Sequence, residues 1–292
     1  MSDYIQVPAQ DFVPLNNLPA LRAILHTFKV PLKEGCTIAG GFIRILCRGD
    51  SIVDYLTKPA LGDNHGDIDI FLPKPQVMKT ITTKMAIPCQ RSHAGFGWNV
   101  HRKSPLEAGP YIGASQNIQF IDYPDFCSPD PIEVVDRFDF TNVAIGLSLV
   151  DGQPTITVHR RWRELETEML LDVRNSRSPF LGHRINKYLK RRGYQGVTPE
   201  SSHHITNWLV KCAAGEKFYI GEKQALHPEV IKNGVISLFE RGVAPKQDII
   251  MFLGKWEVVV YDRMKGDYSG FNSCETVDWA LSKLHGQNFE NR

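Results

Sequence analysis

No apolar run in the 292 residues is long enough to span a bilayer, and the N-terminus, MSDYIQVPAQDF, has neither the basic start nor the apolar block of a secretion signal. The expected place of action is therefore the cytoplasm, of a cell or of an infected host, with no membrane partner. The six cysteines, Cys36, Cys47, Cys89, Cys127, Cys212 and Cys274, form no C-x-x-C pair. Their scatter argues against a zinc site and predicts reduced thiols. A Walker-type glycine loop ending in Lys-Ser or Lys-Thr is also missing, which removes kinases and ATPases of that kind. An excess of one charge is lacking as well: 34 Lys and Arg against 32 Asp and Glu leave a formal net charge of +2. A nucleic-acid surface would have to come from local clustering of cations. Internal repeats, low-complexity tracts and long linkers are absent too.

What is present is an ordinary globular composition, 42% hydrophobic and 23% charged, in a chain long enough for two lobes. The stretch from Cys36 to Leu72 organises it. Thr37, Ile38 and Ala39 read as a short buried strand that stops at Gly40 and Gly41. Phe42, Ile43, Leu46, Val53 and Leu56 then recur at helical spacing, so a glycine turn opens a helix. Unpaired backbone N–H groups at such a turn, reinforced by the helix dipole, make a site for phosphate. Arg44, one turn in, is a candidate for a charge-assisted contact. Further on, Asp67 to Leu72 reads as a strand whose period of two puts Asp67 and Asp69 on one face and Ile68 and Ile70 on the other. Two like charges so close repel each other, and a divalent cation such as Mg²⁺, shared with a substrate phosphate, relieves that repulsion.

The glycine pair in GGFIR followed by GDIDIF resembles the polymerase-β-type nucleotidyltransferase superfamily, and most of all the head domain of class II CCA-adding enzymes and bacterial poly(A) polymerases. Two further segments agree. Arg137 to Ile145, RFDFTNVAI, is similar to the family's R-R-D-F-T-I-N-A-L. Arg184 to Glu200, RINKYLKRRGYQGVTPE, resembles the helix that follows the head. The likeness covers residues 36–200. It implies an α+β fold, with a short mixed sheet and flanking helices in a head at 1–160 and a mainly helical domain at 161–292. It also implies transfer of a nucleoside monophosphate from a triphosphate such as ATP to an acceptor hydroxyl, most readily an RNA 3′ end, with release of pyrophosphate. Asp67 and Asp69 would hold two Mg²⁺ ions, and Gly40 and Gly41 would cradle phosphates with Arg44 beside them. For a third acid the candidates are Asp139 and Asp122, with Gln119 standing where the family carries its acid. Ile45 replaces the Asp that usually follows the family's Arg, and E-D-x-x-R, which reads the incoming base in CCA-adding enzymes, is missing. CCA specificity is therefore not implied. Two alternatives stay open: an inactive nucleotidyltransferase-fold module, or transfer to a protein or small molecule.

Elsewhere, residues 16–28 read as a helix with an Asn cap and an apolar stripe of Leu18, Leu21, Leu25 and Phe28, and Gln76 to Ala86 as a helix or extended piece. Arg91 to Lys103 reads either as a hairpin with a solvated face or as a nucleotide contact through Trp98 and Arg102. Asn117 to Ile121 and Phe138 to Leu149 read as strands, the second followed by an Asp151-Gly152 turn and TITVH. From His159 the chain turns basic and helical. Ile185, Tyr188 and Leu189 form an apolar stripe, which leaves Lys187, Lys190, Arg191 and Arg192 for a solvated face or for RNA. Amphipathic helices are expected at 229–240, 246–261 and 275–284.

Overall fold

A computed structural model describes residues 2–57, 66–91, 97–100, 117–178, 180–213, 219–220, 223–224 and 238. The chain divides into two compact units, Met1–Glu168 and Met169–Arg292. The first unit runs β1 (Tyr4–Pro8), α1 (Ala9–Phe12), α2 (Leu18–Thr27), α3 (Lys29–Lys33), β2 (Thr37–Ala39), α4 (Gly41–Arg48), α5 (Ile52–Thr57), β3 (Asp67–Phe71) and α6 (Val77–Met85). It continues through β4 (Cys89–Arg91), β5 (Gly97–Val100), β6 (Asn117–Ile121), α7 (Pro131–Asp136), β7 (Ile145–Val150), β8 (Gln153–His159) and α8 (Trp162–Glu168). This is the expected α+β architecture.

The eight strands form one mixed sheet in the order β1-β8-β7-β2-β3-β6-β5-β4. Only β3 and β6 pair in parallel; the other six ladders are antiparallel. The period of two then sorts side chains onto faces. Ile38, Ile68, Ile70, Ile118, Phe120, Leu147 and Ile156 point to one face. There they pack with Leu21, Ile24, Phe28, Leu32, Ile43, Leu46 and Ile81 of the helices. Burying each such side chain contributes about 1.5–3 kcal/mol, so this layer dominates the stability of the unit. On the opposite face Ala39, Phe71 and Ile121 pack against Val134 and Val135 of α7. Asp67 and Asp69 share that second face by strand period.

Local chemistry explains where the elements depart from the sequence reading. The helical segment expected after Gly41 is two helices, because Gly49 ends α4 in the left-handed conformation, φ 82°. Asn17 precedes α2 but its side chain does not cap it. Instead, Nδ2 donates to the carbonyls of Leu46 and Asp50, both at 3.0 Å, and ties α2 to the end of α4. The strand expected from Phe138 begins only at Ile145. Ahead of it, Thr141–Val143 forms a 3-10 turn in which the Phe140 carbonyl accepts from the N–H of both Val143 and Ala144. The β7–β8 hairpin forms as expected, with Asp151 and Gly152 both at positive φ, 50° and 77°.

In the second unit the described helices are α9 (Leu181–Arg191) and α10 (Ser201–Ala213), with a parallel pair of two-residue strands, β9 (Leu170–Leu171) and β10 (Gly196–Val197). The Thr198 hydroxyl donates to Asp172 at 2.6 Å, and the Ser201 hydroxyl accepts from the Val173 N–H at 2.7 Å. The Trp208 indole, fully buried, donates to the Ser178 carbonyl at 2.9 Å. The helices expected at 229–240, 246–261 and 275–284 lie outside the described residues, apart from Leu238 alone.

Candidate active site

Two ladders build the site. In the β2–β3 ladder Ala39 stands opposite Asp69, and in the β3–β6 ladder Asp67 and Asp69 stand opposite Asn117 and Gln119. Asp67 is exposed and Asp69 half-buried, while Ile68 and Ile70 between and after them are fully buried. Burial of the isoleucines thus fixes the register that turns both carboxylates to the other face. The chain leaves β2 at Ala39, the residue facing Asp69, and enters α4 through Gly40. The glycine turn and the carboxylate strand are therefore neighbours in one ladder.

Gly40 takes φ 87° and ψ −147°, a conformation open essentially to glycine alone. Its N–H donates to the Ile145 carbonyl at 3.0 Å and its carbonyl accepts the first helical bond, from the Arg44 N–H. That corrects one expectation: the Gly40 N–H is spent on the β7 backbone and cannot cradle a phosphate. Its work is conformational. The N–H groups of Gly41, Phe42 and Ile43 lack partners inside the helix, as the first turn of any helix requires, and Gly41 leads them. The Tyr55 hydroxyl oxygen would lie 2.8 Å from a methyl group built at Gly41.

Arg44 also departs from its expected role. It is 2% exposed, and its Nε lies 3.2 and 3.0 Å from the two carboxylate oxygens of Glu166, with Nη2 3.0 Å from one of them. Arg48 Nη1 and Asn142 Nδ2 reach the same carboxylate at 3.2 and 2.9 Å. Arg44 therefore faces a buried acid on α8 and not a phosphate. Its charge locks the glycine-led helix to the rest of the unit.

Of the candidate third acids, Asp122 follows β6 in phase with Ile118 and Phe120, on the face of Ile68 and Ile70 and away from Asp67 and Asp69. It accepts from the Trp98 indole at 2.7 Å and pairs with Arg91, whose guanidinium lies 5.3 Å from the Trp98 ring centre. This is a structural cross-strand cluster, and it gives Arg91 and Trp98 work inside the β4–β5 hairpin. Arg102 lies outside the described residues. Asp139 is buried beside Phe138, whose ring edge would stand 3.2 Å from a methyl group at Gly40. Among the described residues no three His, Cys, Asp or Glu side chains gather into a metal-binding group. The sheet neighbours of the carboxylate pair are thus amides, Asn117 and Gln119. A pair of carboxylates on one strand face fits a hard cation completed by substrate phosphate, which is how Mg²⁺ is usually held.

Lys187 and Arg192 are half-buried on and just after α9, and Lys190 and Arg191 belong to the same helix. Cys36, Cys47, Cys89 and Cys127 are free thiols. Burial pushes Cys89 and Cys127 up to about 11, and Cys36 and Cys47 higher still, so none is a reactive thiolate near neutral pH. Sequence reasoning missed Glu166 and Tyr55. The first carries no local signal, because an acid in RWRELETE reads as a solvated helix face. For the second, a tyrosine at helical spacing reads as core.

No protein-family model and no curated protein matches the chain. Solved structures do. The Thermotoga maritima CCA-adding enzyme complexed with tRNA aligns with a TM-score of 0.51 at 12% identity, over 100% of this chain and 64% of that one. The chain shares the fold of that enzyme. A CCA-adding enzyme with ATP gives 0.52 at 12% identity with the same coverage, and an apo form gives 0.51 at 14% over 63% of its length. The chain thus spans a little under two thirds of the length of the structures it matches. No helix among the described residues is long and apolar enough to cross a membrane.

Proposed function

We propose that the protein is a Mg²⁺-dependent nucleotidyltransferase. It would move a nucleoside monophosphate from a nucleoside triphosphate to an acceptor hydroxyl, with an RNA 3′ end as the acceptor and pyrophosphate as the second product. The observation that carries this reading is the ladder that sets Asp69 opposite the last residue before the glycine turn. One short strand pair thereby juxtaposes an anion-binding first turn and a pair of acids. A triphosphate chain needs both, donors for its outer oxygens and a cation held by carboxylates for its inner ones.

In the transfer, the acceptor oxygen forms a bond to the α-phosphorus, the bond from that phosphorus to the pyrophosphate oxygen breaks, and the acceptor loses its proton. When bound, Mg²⁺, two ions in this reading, neutralises the developing charge and lowers the pKa of the acceptor hydroxyl. Asp67 and Asp69 would hold the two cations. The Gly41 N–H and its neighbours in the first turn of α4 hold the β- and γ-phosphates, and Gly40 sets the turn that aims them. Arg44 and Glu166 fix α4 in place, so the donors need no reorganisation at the moment of reaction. The cations Lys187, Lys190, Arg191 and Arg192, gathered at the end of one helix, support RNA as the acceptor.

The amides beside the acid pair favour one competing reading, a module that binds nucleotide without turnover. Incubating the protein with each of the four labelled nucleoside triphosphates, Mg²⁺ and RNA separates the two. Metal-dependent label in RNA is the expected result. Binding of triphosphate with no label in RNA, protein or small molecules establishes the module instead.

A further inference from the structure

One row of residues crosses the sheet from the glycine turn to the edge strand. In register, Ala39 of β2 faces Asp69 of β3, Asp69 faces Gln119 of β6, Gln119 faces Asn99 of β5, and Asn99 faces Gln90 of β4. Residues paired in this way share a face. Burial agrees: Val100 is buried in the core of the other face and Trp98 packs against that core, so Asn99 between them belongs with Asp69. Asp69, Gln119 and Asn99 are half-buried and Gln90 is exposed, so the polar part of the row runs from the acid out to solvent. Within it the Asn99 side-chain oxygen is shielded from solvent and has no hydrogen-bond partner among the described residues. A buried amide oxygen left without a donor is costly and rare, and a ligand that brings the donor removes the cost. The terminal torsion of an asparagine is soft, so the amide can turn to meet a group lying along the row.

The attacking and leaving oxygens of the proposed transfer lie roughly in line at the α-phosphorus, which gives the two ends of this row different work. With the β- and γ-phosphates at the turn that follows Ala39, pyrophosphate leaves on the β2 side of Asp69. The acceptor then enters from the opposite side, along Gln119 and Asn99. On the reading of the site given above, we propose that Asn99 is an acceptor-binding residue that selects a terminus with a second hydroxyl beside the reacting one, as in ribose. That second hydroxyl donates to the Asn99 oxygen and takes no part in bond making. Two strand spacings, roughly 10 Å, separate Asn99 from Asp69, which leaves room between them for the reacting hydroxyl and its neighbour. The chemistry of the row suits such a group. Its amides carry no charge, so they neither compete for the cations nor repel an acceptor's phosphates, and Asn99 supplies the oxygen that an O–H needs. A carboxylate or ammonium acceptor would find no counter-charge on Gln119, Asn99 or Gln90.

The test compares two short RNA oligonucleotides that differ only at the 3′ end, one closing in ribose and one in 2′-deoxyribose, both with a 3′ hydroxyl. Filter binding reads the affinity for each, and turnover with Mg²⁺ and a labelled nucleoside triphosphate reads the transfer. The full-length wild-type chain is expected to favour the ribose end roughly tenfold in both, because an oxygen in the site left without its donor rejects the deoxy end. Asn99→Leu, of similar volume, should bring that ratio near one. Its KM for the triphosphate should stay unchanged and its thermal midpoint equal or higher, since no unpaired oxygen is then buried. Asn99→Asp keeps an acceptor oxygen in place and should keep the preference. Equal use of the two ends by wild type, or an undiminished preference in Asn99→Leu, overturns the assignment and leaves the nucleotidyltransferase reading standing. A lowered midpoint in Asn99→Leu with the preference intact does the same and makes Asn99 structural. Where Asn99→Leu does not fold, Asn99→Ala carries the same comparison. If wild type labels neither RNA, the underlying reading falls and the assignment falls with it.

Discussion

Arg44 and Glu166 are 122 positions apart in sequence and form a buried ion pair, their side chains 3% and 6% exposed, with Nε 3.0 Å from the nearer oxygen. It joins the first helix of the glycine turn to the last helix of the same unit. Arg48 and Asn142 add bonds to the same carboxylate, so Glu166 is where three segments of chain converge: α4, the 3-10 turn of Asn142 and α8. Removing one partner leaves a buried charge uncompensated, which costs about 3–5 kcal/mol. Glu166→Gln is expected to lower unfolding stability by that order in urea. The double variant R44M/E166L should recover part of the loss, because well-packed apolar groups carry no desolvation cost. A Glu166→Gln protein as stable as wild type would refute the convergence of charge at this point.

Gly40→Ala is expected to destabilise by about 1–3 kcal/mol through backbone strain alone, since φ 87° with ψ −147° is costly for any residue with a Cβ. Contact of that Cβ with Phe138 at 3.2 Å adds to it. Gly41 has no such conformational demand. There Gly41→Ala should cost less stability and instead press on the Tyr55 hydroxyl. The two variants therefore separate, Gly40→Ala in chemical denaturation and Gly41→Ala in triphosphate binding. Equal stability losses would show that both glycines serve the turn alone.

Asp67→Ala and Asp69→Ala are each expected to abolish nucleotidyl transfer. Stability should be unchanged or slightly raised, because each relieves repulsion between carboxylates that are two residues apart on one strand face. A triphosphate should also raise the thermal midpoint of wild type far more with Mg²⁺ than without it, and either variant should remove that difference. Full activity in both variants would end the metal reading of the pair. Marked unfolding would make the pair structural.

The parts of the site legible in the sequence were those written within one element or one turn. The alternation of Asp67, Ile68, Asp69 and Ile70 states both the strand and its faces, and the Gly40-Gly41 pair states the turn. What remained hidden was set by contacts across the fold. Nothing near Arg44 announces Glu166, so an arginine one turn after the glycines read as a phosphate ligand when its charge is spent inside. Asp122 looked available because its partners, Arg91 and Trp98, come from other strands of the sheet. The strand read from Phe138 failed for a similar reason: Asn142 leaves the sheet pattern to bond Glu166, and the chain turns there in 3-10 form.

The acceptor is addressed by the cations of α9. An RNA 3′ end meets such a cluster through its phosphates, and each phosphate neutralised releases counterions, so affinity falls with salt in proportion to the number of contacts whatever the base sequence. Replacing Lys190, Arg191 and Arg192 together by Gln removes up to three such contacts. For single-stranded RNA, that should flatten the slope of log affinity against log salt by about two, at roughly 0.7 per phosphate. Binding of Mg²⁺ and triphosphate, which this reading assigns to Asp67, Asp69 and the first turn of α4, should stay near the wild-type level, and so should the thermal midpoint. Filter binding of a labelled RNA between low and moderate salt reads the slope, and calorimetry reads the triphosphate. A triple variant with the wild-type slope removes α9 from RNA contact. A wild-type protein with no RNA affinity even at low salt moves the acceptor to a protein or a small molecule.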